Sequence, residues 1–213
     1  MAILWLNFAA ISQQTVTIGS QVWMTQDLNV GTMIPVTQVA TDNGKIEKYC
    51  YNNLESNCTK YGGLYKWEEL MQYKSDGKGL CPDGFAIPTK QDWQELIDFL
   101  GGNAAAGIAL KETGYDNWYT PYPIDSYYTA AWVTPLSGTN SSYFSALPGG
   151  RGLPGRFESA KKYAKYWTST TYTGQPYWAY SVSVGWNAPL YIYLDYLRPS
   201  TVYLSARCIK AKP

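Results

Sequence analysis

The sequence contains no histidine, and that absence narrows the chemistry open to it. Histidine is the commonest general base near neutral pH and the commonest metal ligand, so catalysis and metal binding both start from a reduced set of side chains. Strong charge of either sign is missing too: 17 basic against 16 acidic residues leave a net charge of +1. So balanced a chain has no field to recruit nucleic acid or an anionic membrane, and neither is expected as a partner. Phenylalanine is sparse, with 5 residues beside 20 tyrosines and 9 tryptophans. That imbalance favours surfaces that are apolar in body and wet at the tip, the composition of contact faces. No apolar run reaches the roughly 20 residues of a membrane helix, so no insertion is expected. The start, "MAILWLNFAAISQQ", is apolar but short, and no Lys or Arg precedes Lys45. Residues 1–14 therefore read as an apolar N-terminal extension lacking the pattern of a signal peptide, and residues 15–213 as one domain.

Four cysteines are present: Cys50, Cys58, Cys81 and Cys208. No C-x-x-C occurs, so their spacing fits no zinc pattern. The pairing favoured is Cys50–Cys58 with Cys81–Cys208; the alternative is four buried free thiols. In the chain-entropy model the short loop contributes roughly 2.5 kcal/mol and the long one about 5 kcal/mol. Two structural bridges imply an oxidising, extracytoplasmic compartment.

From Thr15, "TVTIGSQVWMTQDLNV" alternates around Val16, Ile18, Val22 and Met24, with Gly19-Ser20 between, which predicts a hairpin. Leu64, Trp67, Leu70 and Met71 stand at helical spacing and predict a short amphipathic helix. A second helix is marked more strongly. Thr89 is an N-cap with Asp92 three residues on; Trp93, Leu96, Ile97 and Leu100 then line one face, and Gly101 ends it. Residues 101–166 carry few regular signals. Loops of that length in a compact domain are functional or tightly packed. From Tyr166, four alternating segments separated by "TGQP", "NAP" and "RPS" predict a meander of antiparallel strands.

The stretch 178–208, "WAYSVSVGWNAPLYIYLDYLRPSTVYLSARC", carries only Asp195, Arg198 and Arg207 as charges. Its period of two sorts Leu190, Ile192 and Leu194 to one side and Tyr191, Tyr193 and Asp195 to the other. Tyr163, Tyr166, Trp167, Trp178 and Tyr203 are expected in the core. Tyr180, Trp186, Tyr191, Tyr193 and Tyr196 are expected on display.

Six fragments in order, "VTIGSQVWMTQDLNV", "YCYNN" leading to "NCTKYGGLYKWEELM", "CPDGFAIPTKQDWQELIDFLGG", "YFSALPGGRG", "YWTST" and "SARCIK", resemble the motifs of the Fibrobacter succinogenes major paralogous domain. The resemblance implies an α+β, C-type lectin-like fold, with two short helices packed on small twisted antiparallel sheets and long irregular loops. It implies that the last strand, ending in Cys208, runs back through the centre. It also implies an exported protein of the bacterial surface or of a phage virion, where a receptor-binding protein would be a trimer with the apolar N-terminus at its axis. Relatives diversified by retroelements vary in their C-terminal strands. Adenine-randomised Asn codons are compatible with Tyr172, Tyr177, Tyr180, Ser181, Ser183, Asn187, Tyr191, Tyr193, Asp195 and Tyr196, though not with Trp178 or Trp186. Those ten residues and Trp186 form the expected ligand-binding set. The calcium triplets of sugar-binding lectins are missing, so no metal or other cofactor is expected.

An enzyme reading finds little to build on. Glu112, Asp116, Asp125, Glu158 and Asp195 are the candidate carboxylates for a glycosidase, each better read as a surface or turn residue. A reactive cysteine pair near the C-terminus is lacking, since Cys208 stands alone there. "ALPGGRGLPGRF" lacks the Lys-Ser/Thr of a phosphate loop and reads as a turn and strand. The expectation is a non-enzymatic module that binds a cell-surface protein or glycan through tyrosine, which gives large contact area at low entropic cost.

Overall fold

The computed structural model describes residues 14–120, 137–174, 178–186, 192–197 and 201–212, with 192–197 described as backbone. In chain order, the first half holds strands β1 (Thr15–Ile18), β2 (Gln21–Met24), β3 (Thr32–Met33), β4 (Glu47–Lys48) and β5 (Phe85–Ala86). Helices α1 (Glu55–Tyr61) and α2 (Trp67–Leu70) follow β4, and α3 (Lys90–Phe99) and α4 (Asn103–Leu110) follow β5. The second half holds β6 (Arg151–Leu153), β7 (Arg156–Glu158), β8 (Tyr163–Thr171), β9 (Ala179–Gly185), β10 (Ile192–Leu197) and β11 (Ile209–Lys210). This is a mixed α+β domain with four short helices among the described residues, two more than expected, and several small sheets.

The first hairpin forms as its sequence predicts. Ile18 pairs with Gln21, leaving Gly19-Ser20 as a two-residue turn, and Gly19 has the positive φ of 61° that such turns demand. Its deeply buried positions are Ile18, Gln21 and Trp23; Val22 and Met24 are only half-buried. Met24 packs against a second cluster on the opposite side. In space β1 and β2 continue into β11 and then β5, so the late strand β11 lies inside a four-stranded sheet. Ile209 stands opposite both Trp23 and Ala86.

Helix α3 starts where the capping box puts it. Thr89 Oγ1 accepts from the Asp92 amide at 3.0 Å, and Asp92 accepts from the Thr89 amide at 2.8 Å. Trp93, Leu96 and Ile97 are then buried. The helix expected over Leu64–Met71 shrinks to the single turn of α2, because Leu64 pairs instead with Tyr49 in a β-bridge. Helix α1 spans the stretch that includes Cys58, and α4 occupies part of the segment expected to be irregular.

Three buried clusters result. The first gathers Trp23, Trp93, Phe144 and Tyr166, with the two indoles 4.8 Å apart. The second surrounds Trp167, Leu70 and the Cys81–Cys208 bridge. In the third, Tyr49 stacks on Tyr203 at 3.9 Å. Both expected disulfides are present, Cys50–Cys58 and Cys81–Cys208. Strands β10, β9 and β8 form an antiparallel meander in that order, and residues near Ser205 flank the free edge of β8. Tyr166, Trp167 and Tyr203 are buried as expected, whereas Tyr163 and Trp178 are half-buried.

Burial pushes the phenols of Tyr49, Tyr65 and Tyr166 well above their ordinary value. In the unfolded chain these phenols ionise near pH 10 or so, whereas the folded state holds their protons. The folded state thus binds more protons at high pH, so stability is intact below about pH 10 and falls as pH rises beyond it. Phenolate absorbance should therefore rise in two stages, exposed rings first and these three only with cooperative unfolding. Complete ionisation with the near-ultraviolet dichroism intact would contradict their burial.

Candidate functional site

Strands β8 and β9 are fixed by their surroundings before they present anything. Trp67 Nε1 donates to the Thr168 carbonyl at 2.8 Å, and the Ser169 amide donates to the Pro88 carbonyl at 2.9 Å. The Lys90 amide, at the first turn of α3, donates to Thr170 Oγ1 at 3.0 Å. Thr168 Oγ1 bridges to the Tyr180 carbonyl at 3.0 Å. The helix start and the sheet end thus form one rigid corner.

On that corner sits an aromatic cluster. The Tyr172 ring lies 6.2 Å from Trp178 and 5.8 Å from Tyr180, the second contact edge-to-face. Lys90 Nζ stands 4.3 Å above the Tyr180 ring, within cation–π range. All three rings are half-buried, each with one part packed and one part wet. Rings so placed can offer area and a hydroxyl without first having to be ordered.

The opposite end of the same strands carries a second group. Trp186 is half-buried and meets Tyr119 edge-to-face at 5.1 Å, while Lys162 Nζ lies 4.9 Å over Tyr119. Lys111 Nζ reaches the Trp186 carbonyl at 3.4 Å; burial pulls its ammonium down to about 8.

Between these ends the sheet is closed. Ser181 and Ser183, expected among the ligand contacts, are both fully buried. The reason is that β9 is the middle strand with both faces covered: Val182 and Val184 enter the first cluster, while Trp167 and Ala179 enter the second. Neither serine hydroxyl has a hydrogen-bond partner among the described residues. In register, Tyr193 stands opposite Ser183, Asp195 opposite Ser181 and Tyr196 opposite Tyr180. Tyr177, Asn187 and Tyr191 lie outside the described residues, as do the side chains of Tyr193, Asp195 and Tyr196. The expected set is therefore divided. Tyr172 and Tyr180 meet at one end, Trp186 lies at the other, and the two serines are interior.

Lys90, Tyr119 and Lys162 were not singled out by sequence reasoning. Lys90 was legible as the start of α3, but nothing in its spacing announced a ring 90 positions downstream. Of the candidate carboxylates, Glu158 is held by Arg151 at 2.9 Å and Arg156 at 2.7 Å. Those three residues belong to the β6–β7 hairpin, so "ALPGGRGLPGRF" is a turn and strands. No group of three His, Cys, Asp or Glu suited to a metal occurs among the described residues. No helix among them is long and apolar enough to cross a membrane.

The architecture defines a doubly disulfide-bridged α+β domain, of the chemistry found in oxidising compartments, with aromatic groups at both ends of its meander. The chain belongs to the Fibrobacter succinogenes major domain family, whose model matches residues 16–210. No curated protein and no solved structure matches it.

Proposed function

We propose that this domain is a non-enzymatic binding module, C-type lectin-like in arrangement, that docks on a protein or glycan at a cell surface. It would act from outside the cytoplasm, on a bacterial surface or a virion. The observation that carries the reading is the half-exposed Tyr172–Trp178–Tyr180 cluster with Lys90 over one ring. Aromatic side chains with a nearby cation dominate interface energetics when they are held ready on rigid elements. The two disulfides support a position outside the cytoplasm.

The paired change Tyr172→Ala/Tyr180→Ala tests this directly. Edge-to-face contacts between half-exposed rings contribute only about 0.5–1.5 kcal/mol, so Tm should fall by a few degrees at most. Binding to whole cells, positive for the wild type, should be lost. Unchanged cell binding by the pair, or a wild type that binds no cells, would remove this function from the cluster.

A further inference from the structure

Next to the first cluster, where Arg207 packs on Phe144, an open cleft of about 530 Å³ is bounded by three segments. One wall is the end of α1, with Thr59, Lys60 and Tyr61; a second is the segment Thr25–Asn29 that follows β2. The third is a loop carrying Tyr143 and Ser145. Its volume falls within the range of small-molecule sites.

The floor is charged and fixed. Arg207 donates from Nε and Nη2 to Asp27 Oδ1 at 2.6 and 2.5 Å, and both side chains are at most 3% exposed. The guanidinium lies 4.1 Å from the Phe144 ring and also donates to the Phe144 carbonyl. Gly62 lets the wall approach this floor. Its φ is +80°, and a Cβ there would stand 2.5 Å from Asp27 Cβ.

Tyr143 is the exposed ring on the rim of this cleft. Its neighbour Phe144 is fully buried, yet Tyr143 is 71% exposed and sits at φ +56°. A bulky residue in the left-handed region is strained, and such strain persists only where the surroundings impose it. Here the surroundings do impose it. The last carbonyls of α4, those of Ile108, Ala109 and Leu110, accept amides from Thr139, Ser142 and Ala146. Asn140 clamps Ser145 with two further bonds of 2.8 Å. The loop is locked around a ring aimed at water on the rim of the cleft.

We infer that this cleft is a saccharide-binding site, separate from the aromatic cluster of the β8–β9 corner. A sugar ring presents apolar C–H patches and hydroxyls that both donate and accept. The rings of Tyr61 and Tyr143 meet the first requirement. The amide of Asn29 and the hydroxyls of Thr59 and Ser145 on the walls meet the second. The buried Asp27–Arg207 pair is closed on itself and fixes the floor, while Lys60 lies 5.1 Å over the Tyr61 ring on the wall.

The test uses saturation-transfer NMR of the full chain with a panel of free hexoses, N-acetylhexosamines and their disaccharides. Wild-type protein and Tyr172→Ala/Tyr180→Ala should both transfer magnetisation to at least one member. Tyr143→Gly should lose at least tenfold in affinity for it while its Tm stays level or rises, since glycine accepts the positive φ freely. No transfer to any member by the wild type, or equal affinity in Tyr143→Gly, overturns the proposal. Loss of transfer in the Tyr172→Ala/Tyr180→Ala protein alone assigns the sugar to the other site and overturns it as well.

Discussion

Asp27→Ala should destabilise the fold by about 3–5 kcal/mol, the cost of stranding a buried charge whose partner has been removed. For a domain of this size that corresponds to a fall in Tm of roughly 6–20 °C. Arg207 has a side chain only 1% exposed and rests against Phe144, so water cannot replace the lost carboxylate. Burial raises the Asp27 carboxyl and the neighbouring Arg207 charge pulls it back, so the pair survives by mutual compensation. The double change Asp27→Leu/Arg207→Met removes both charges and should recover most of the loss, because apolar replacements of whole buried pairs are often neutral. Chemical denaturation of Asp27→Leu, Arg207→Met and the double variant measures this. Two single changes that add without coupling would show that the ion pair is not the source of the effect.

Removing the long disulfide is the other large perturbation. The Cys81–Cys208 bridge spans 127 residues against 8 for Cys50–Cys58. In the chain-entropy model its loss costs about 5 kcal/mol, roughly twice that of the short bridge. Cys81→Ala/Cys208→Ala should therefore melt 10–20 °C lower, at about 2–4 °C per kcal/mol. Cys50→Ala/Cys58→Ala should fall about half as far. Cys81 is 4% exposed and Cys208 fully buried, so reductant should act slowly on the native protein and rapidly once it opens. Equal melting temperatures for oxidised protein and the Cys81→Ala/Cys208→Ala variant would contradict the model.

What could be read in advance follows from how local each signal is. The capping box of α3 is written in residues three positions apart, and the first hairpin in a Gly-Ser pair between alternating segments. Both formed as read. Helix α4 was missed because "NAAAGIAL" alternates nothing: its small residues carry no stripe, and it is held by burying Ala106, Gly107, Ala109 and Leu110. Helix α1 was missed because "ESNCTKY" is polar and buries only Cys58. Ser181 and Ser183 were misjudged for a different reason. Alternation tells which residues share a face, but whether a face meets water depends on what packs there from 100 positions away. Tyr143 had no legible mark at all, since a positive φ is a property of the loop that holds it.

The position of Ile209 between Trp23 and Ala86 has a consequence in time. Until residue 210 has been synthesised, the early hairpin and the segment around Phe85 face each other across a gap that nothing else fills. The sheet therefore cannot close on the early strands alone. The Cys81 thiol likewise has no partner until Cys208 is present, so neither the four-stranded sheet nor the long bridge can form from the first hundred residues alone.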